Sequence, residues 1–454
     1  MVSYFTPQRL LALVGLLVIV PASTVSAQFG FGLGTGVVGG VKVDAGGVVR
    51  DASIEEQGEE LRQLRAAMKS PTGPLAAKAS LRMISLKKLQ QAIQQAAQQD
   101  KPLADEVLYL AGLQRIEYVF AYPEQNDIVL ACPAEPWIVR DDSSVVGKNS
   151  GRPVLRLEDL LVALRTVEEA QREVISVSID PTAEGQVRLQ QLMSKMTGNG
   201  FNPEVAAPMI KEAFGPQDVR LTAVPKDSRM AQTLVAADYQ MKRLAMNLEN
   251  SPVQGLPSYM ELIRNVGNKK GLQPRWWITT NYDALLHSQD RLAWKITGSA
   301  IKAMSEDQYL TKSGDRVGTG SANKTAEKWA NLFTEKYDEL CSTSSVFGDL
   351  RNVIDLNVVA AIIRSQRMEE TVGCNLDLLC GAEVSKLPTP QWQVPKSLAA
   401  QCSFVRGQAG WTISASGGVE INSWKIVADS AKADDSVKAT YTKASSTGDN
   451  WWWN

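Results

Sequence analysis

Histidine is almost missing from this chain: His287 is the only one in 454 residues. That excludes a zinc site built from several imidazoles, and with it any His-x-x-His or His-Glu-x-x-His arrangement. A Ser-His-Asp or Cys-His hydrolase would have to use His287 itself, and no nucleophile elbow accompanies it, so His287 reads as structural. Paired Asp and Glu residues need no imidazole, and carboxylate chemistry passes this filter. Cysteine is scarce too. Cys132, Cys341, Cys374, Cys380 and Cys402 do not make a disulfide-built scaffold, and an odd number leaves at least one unpaired. Cys374 and Cys380 are the candidate disulfide, with Gly373 and Gly381 just outside them to close a small loop. Buried free thiols are the alternative. No metal and no cofactor is expected.

An excess of either charge is also lacking, since Lys and Arg total 48 against 49 Asp and Glu. A balanced surface gives no electrostatic reason to expect nucleic acid or anionic lipid as a partner. Long apolar runs are confined to residues 10–20, about half of the ~20 residues that a membrane-spanning helix needs. Arg9 precedes that run, Pro21 breaks it, and Val25, Ser26 and Ala27 follow as a small-residue cleavage site. Residues 1–27 therefore read as a secretory signal peptide cut between Ala27 and Gln28, with no transmembrane span left in the mature chain. The protein is expected to be exported, to a periplasmic or extracellular location.

The length suggests two or three domains of about 100–200 residues each. Residues 28–52 form a Gly-rich lead-in. Its Gly34, Gly36 and Gly39 match a dinucleotide fingerprint only on paper, because neither a preceding strand nor a following amphipathic helix frames them. Residues 53–150 read as a helical region with a β-hairpin. A capping box at Ser53 and Glu56 opens one helix, Ser85 opens a second that carries Leu86, Leu89 and Ile93, and residues 115–122 and 128–131 pair.

Residues 151–385 alternate strands (174–179, 219–224, 275–280, 292–297) with helices (183–196, 203–214, 230–248), as an α/β core does. The strongest helix is 325–341, with Ala326, Trp329, Phe333, Tyr337 and Leu340 on one stripe; with 350–363 it reads as a helical cover. Residues 386–428 read as a small β unit of short strands at 392–394, 402–405, 411–415 and 419–421. Residues 429–454 are expected to be a disordered tail. The fold class is α/β or α+β, with helices packed on a mixed sheet.

Several blocks resemble a family of exported planctomycete proteins of unknown function. They are Ser176-Val-Ser-Ile-Asp-Pro-Thr-Ala-Glu-Gly185, Val235-Ala-Ala-Asp-Tyr-Gln-Met-Lys-Arg-Leu244, Gly255-Leu-Pro-Ser-Tyr259 and Lys328-Trp-Ala-Asn-Leu-Phe-Thr-Glu-Lys-Tyr-Asp-Glu-Leu340. Phe347-Gly-Asp-Leu-Arg-Asn-Val353 and Val394-Pro-Lys-Ser-Leu398 add to them. The resemblance covers most of residues 44–424. It implies export and an α/β architecture, and no activity, cofactor or site.

The most site-like neighbourhood is Arg275-Trp276-Trp277 with Asp283 and Glu306. Adjacent tryptophans on a strand face opposite ways, so at most one of them belongs to a given core layer. An indole beside carboxylates is what glycan-binding surfaces and glycosidase clefts use, and Asp283 and Glu306 would serve as acid and base if about 5–10 Å apart. A sheet buried on both faces is the plainer reading. Glu335, Asp338 and Glu339, and likewise Asp238 with Lys242 four residues on, read as solvated helix faces. Trp451, Trp452 and Trp453 follow the tail and would dock back on the chain, bind a partner, or rest at a membrane or wall interface. The leading reading is a non-enzymatic interaction or envelope-associated module whose partner is a protein or envelope component; the alternative is a carboxylate-dependent hydrolase of an extracellular polymer such as glycan.

Overall fold

A computed structural model describes residues 37–38, 41–43, 48–51, 54–196, 202–264, 272–311, 313, 315–381, 387–403, 406–407, 410–411, 416–429, 431–445 and 448–454. The signal peptide, its cleavage site at Ala27 and Gln28, and the capping residue Ser53 lie outside them. Along the chain, the strands that carry the argument are β1 (Ala79–Ser85), β2 (Tyr118–Tyr122), β3 (Asp127–Ala134), β4 (Ile175–Pro181), β5 (Gln217–Thr222) and β6 (Leu272–Asn281). They continue with β7 (Leu285–His287), β8 (Ala293–Lys295), β9 (Ala300–Leu310), β10 (Arg316–Gly318), β11 (Ser416–Ile421), β12 (Ala431–Ala433) and β13 (Trp452–Trp453). The helices are α1 (Leu86–Gln98), α2 (Leu157–Arg165), α3 (Ala183–Lys195), α4 (Arg229–Ala245), α5 (Lys324–Glu335), α6 (Tyr337–Thr343), α7 (Ser345–Ser365), α8 (Met368–Val372), α9 (Ser423–Asp429) and α10 (Asp435–Ala444).

Two mixed sheets organise these elements, so the fold is mixed α/β. The larger has ten strands and ends in the order β5-β4-β11-β6-β9-β10; its other edge is Val37–Val38, Val41–Val43, Val48–Asp51 and Ser397–Leu398. The smaller has seven strands, ordered β12-β7-β8-β2-β3-β1-β13. In the larger sheet Ile175, Val177 and Ile179 alternate with Ser176, Ser178 and Asp180, the period-two pattern of a strand with one face in the core. Of the strands expected over 386–428, β11 does not stand apart. It runs between β4 and β6, antiparallel to the first and parallel to the second. Residues 392–394 are irregular, and 404–405 and 412–415 lie outside the described residues.

The stripe expected over 325–341 is present, with Ala326, Trp329, Phe333, Tyr337 and Leu340 all buried, but the helix breaks at Lys336 into α5 and α6. Asn323 caps its start by accepting from the Ala326 N–H at 2.8 Å. Aromatic rings then link the layers: Trp276 of β6 lies 4.7 Å from Tyr259 and 5.3 Å from Trp329, and Phe333 lies 5.3 Å from Phe347 of α7.

Helix α7 is no cover. It is buried on every side from Ser345 to Ile363, touching α2, α4, α6 and α9, and so forms the centre of the molecule. Polar residues on such a helix need partners, because an unpaired buried group costs about 1–3 kcal/mol. They have them: Asp349 pairs with Arg229, Arg351 with Asp338, and Asp355 accepts from Arg115 Nε at 3.0 Å and the Tyr282 hydroxyl at 2.7 Å.

The tail expected to lack structure is a strap. After α9, β12 pairs in parallel with β7 at one edge of the smaller sheet, α10 crosses the sheet face, and β13 pairs antiparallel with β1 at the other edge. Its few apolar residues are all placed to count. Val437 and Ala444 are buried, Tyr441 stacks on Tyr122 at 4.5 Å, and the Tyr122 hydroxyl donates to the Tyr441 carbonyl at 2.8 Å. Composition alone misses this, because an exposed sheet edge supplies unpaired backbone groups for any segment that reaches it.

Candidate functional site

The outer face of the larger sheet, turned away from α4 and α7, is set by strand register. Three cross-strand rows lie on it. Arg220, Ser178, Gly418, Trp277 and Met304 form the middle row. Thr222, Ser176, Glu420, Thr279 and Lys302 flank it on one side; on the other, Asp218 faces Asp180, and Arg275 faces Ser416 and Glu306. Trp276, one residue before Trp277, faces the opposite way into the aromatic cluster, and its indole N–H donates to the Ala326 carbonyl at 3.3 Å. The two tryptophans face opposite ways, as a strand requires, but the sheet is not buried on both faces as the plainer reading had it: Trp276 is 1 % exposed and Trp277 is half-buried on the outer face.

The Arg275 guanidinium lies over the Trp277 ring, 5.3 Å from its centroid. Arg316 of β10 faces Leu310 of β9, four residues beyond Glu306, and Gln186 of α3, its amide oxygen turned to the guanidinium, accepts from Nε at 2.8 Å and Nη2 at 2.6 Å. Burial lowers the Arg316 pKa to about 10; Asp180 raises it and the like charge of Arg275 lowers it further. Glu306 is directly opposite Arg275 in register but is turned to the β10 turn, accepting from the Gly320 N–H at 2.7 Å. A stacking ring, the guanidinium over it and hydroxyl-bearing neighbours can hold a ligand.

Asp283 and Glu306 are not brought together. Asp283 N–H bonds the Thr297 carbonyl beyond the far end of the β6–β9 pairing, where Asn281 faces Ala300, whereas Glu306 faces Arg275. Six strand residues separate these positions, about 20 Å at ~3.3 Å per residue, far outside the spacing of a glycosidase pair. His287 is buried, with Nδ1 2.8 Å from the Ser288 carbonyl oxygen and its ring against Trp294.

Cys374 and Cys380 are not bonded to each other, and all five cysteines are free thiols. The short helix Asp377–Cys380 turns the Cys380 Sγ toward Glu369, while Cys374 is buried after α8. Trp451, Trp452 and Trp453 dock back on the chain. The Trp451 carbonyl accepts from the Ser85 N–H at 2.8 Å, Arg82 stacks on Trp452, and the Trp453 indole donates to the Ala444 carbonyl at 3.0 Å. Among the described residues no cluster of His, Cys, Asp or Glu could hold a metal ion, and no helix is long and apolar enough to cross a membrane.

Asp238 and Lys242 do not form a solvated pair. Both are buried on the inner side of the larger sheet, where Lys242 Nζ donates to Asp238 Oδ2 and to the Ile179 carbonyl, each at 2.9 Å. Room for them comes from Gly417, since a Cβ there would approach Asp238 Oδ1 to 2.8 Å and Lys242 Cε to 2.9 Å. Burial pushes the Asp238 pKa up to about 6 against the pull of Lys242. Only the β11 sequence, far along the chain, hints at this through its paired glycines. The narrow cleft beside Lys242, between Tyr239, Arg243, Gln217 and Gln401, is closed in by committed groups: Arg243 bonds Glu249, and Gln401 donates to Tyr239. The sequence signal for Trp277 was the tryptophan pair itself; Arg316 and Gln186 carried none.

Residues 177–259 match the model of a family described as a protein of unknown function, DUF1598. That segment runs from β4 to Tyr259 and so contains Asp180 and Gln186 but not Arg275, Trp277 or Arg316. No curated protein and no solved structure matches the chain.

Proposed function

We propose that this is an exported, non-catalytic binding protein whose ligand is a glycan and whose binding surface is the outer face around Trp277. The observation that carries the reading is the middle row: a half-buried indole beside Gly418, with Ser178 beyond it, framed by hydroxyl and mixed-charge side chains. An indole offers its face to the C–H side of a pyranose, and neighbouring Ser, Thr, Arg and Glu groups offer donors and acceptors to its hydroxyls. Export rests on the N-terminal pattern around Arg9 and Ala27. The separation of Asp283 from Glu306 favours binding over hydrolysis.

Affinity electrophoresis of the full chain through gels holding polygalacturonate or hydroxyethylcellulose tests the reading. Retardation by at least one of them is expected, and Trp277→Ala should abolish it without changing the melting temperature. No retardation in either gel, or equal retardation of Trp277→Ala, contradicts the reading.

A further inference from the structure

We propose that Glu158, Asp159 and Asp349 hold one proton between them in the folded protein at neutral pH, so that the joint of α2, α4 and α7 is closed by acid and loosened by alkali. It does not depend on the glycan-binding reading. Arg229 of α4 reaches both other helices: Asp159 of α2 accepts from its Nη1, and Asp349 of α7 accepts from its Nη2 at 2.6 Å. Its Nε stands 3.9 Å from Glu158 Oε1. Glu158 also lies 3.6 Å from Arg156, the residue before α2, and accepts from the Trp392 indole N–H at 2.8 Å. Arg156 in turn stacks on the Tyr109 ring.

Among the described residues, the charged groups that meet here are two guanidiniums, Arg156 and Arg229, and three carboxylates. One negative charge has no counter-charge. Solvent is a poor substitute, because Arg229, Asp159 and Asp349 are all buried. Asp159 Oδ1 marks the deficit: it is enclosed, and among the described residues no donor reaches it. An ionised oxygen in that position forfeits more than a neutral carboxyl does. Burial accordingly raises the Asp159 and Asp349 pKa values against the pull of Arg229. A proton shared among the carboxylates brings the cluster to neutrality. As pH rises the proton leaves for solvent, and the uncompensated charge then works against a joint in which all three helices contact one another. Stability from this source is therefore present in acid and lost on the alkaline side.

Urea unfolding of the full chain against pH tests this, in an Asp238→Asn background that silences the carboxyl beneath the larger sheet. A proton bound by the folded state alone makes the unfolding constant climb about tenfold per pH unit. Adding Asp349→Asn leaves two carboxylates to two guanidiniums, and should take that tenfold rise away between about pH 5 and about pH 7. Glu158→Gln, which keeps an acceptor for Trp392, should do the same and serves where Asp349→Asn does not fold. Infrared spectra of the folded proteins at about pH 7 give a reading that needs no unfolding. The C=O stretch of a protonated carboxyl should be present in the Asp238→Asn protein and weakened in either double variant. Equal slopes for single and double variants, or equal carboxyl bands, overturn the proposal.

Discussion

Trp276, Trp277 and Trp329 show how little residue type says about role. Trp329 is fully buried and bonds the Pro257 carbonyl through its indole N–H at 3.0 Å, so Trp329→Ala should cost about 3–5 kcal/mol in denaturant unfolding. Trp277→Ala, on the outer face, should stay within about 1 kcal/mol, and Glu335→Ala within about 0.5 kcal/mol. Equal losses from Trp329→Ala and Trp277→Ala would mean that the two faces of β6 are exchanged.

Asp238 gives a pH signature. Its folded pKa, about 6, lies above the ordinary 3.8, so the folded state holds the proton more tightly and the group's contribution to stability falls as pH rises from about 4 to 6. Asp238→Asn, which cannot titrate, should therefore gain on the wild type by a few kcal/mol between pH 4 and pH 7, near 1.4 kcal/mol per pKa unit. A gap in stability that does not change with pH contradicts this.

Among the elements, the C-terminal strap departs most from its composition. Residues 429–450 look too polar to fold, yet the strap supplies both edge strands of the smaller sheet. Arg82 is fully buried and shares its N–H groups among Asn454 Oδ1 and the carbonyls of Ala111, Pro74 and Ala77. Removing residues 451–454 uncovers β1 and takes one acceptor from that guanidinium, a loss of roughly 2–4 kcal/mol. Hydrogen exchange should show the Ser85 amide losing protection, since its acceptor is the Trp451 carbonyl. Unchanged exchange at Ser85 would place the strap elsewhere.

Periodic elements were legible in the sequence. The stripe through Trp329 and Tyr337, the alternation of β4 and the hairpin of β2 with β3 all followed from spacing. What spacing could not give was long-range placement. Gly417 opposite Asp238, β11 threaded between β4 and β6, and Arg316 brought to Gln186 each join segments far apart in the chain. Nor does a run such as α7 reveal whether it lies at the centre or on a surface, because a helix buried on all sides has no polar face to mark it.

At the scale of the whole molecule, α7 is packed among other helices and against one strand of the larger sheet, and no disulfide ties the fold. Cys132, Cys341, Cys374 and Cys402 are buried and Cys380 is half-buried. Burial raises the Cys380 pKa to about 12, with nearby Glu369 pushing the same way, so the thiolate is rare at neutral pH. A reducing agent should leave the melting temperature unchanged, and native protein should react slowly with a thiol reagent. A clear drop on reduction would indicate a bond between Cys374 and Cys380 after all.

The outer face of the larger sheet is where we propose that a glycan binds. Hydrogen-exchange mass spectrometry of the full chain with and without polygalacturonate tests that claim most directly. Protection is predicted in segments carrying Trp277 and Arg275 and in β4 around Ser178, with none at the strap or around Asp283. Protection confined to other segments, or none at saturating polygalacturonate and hydroxyethylcellulose, would contradict the account.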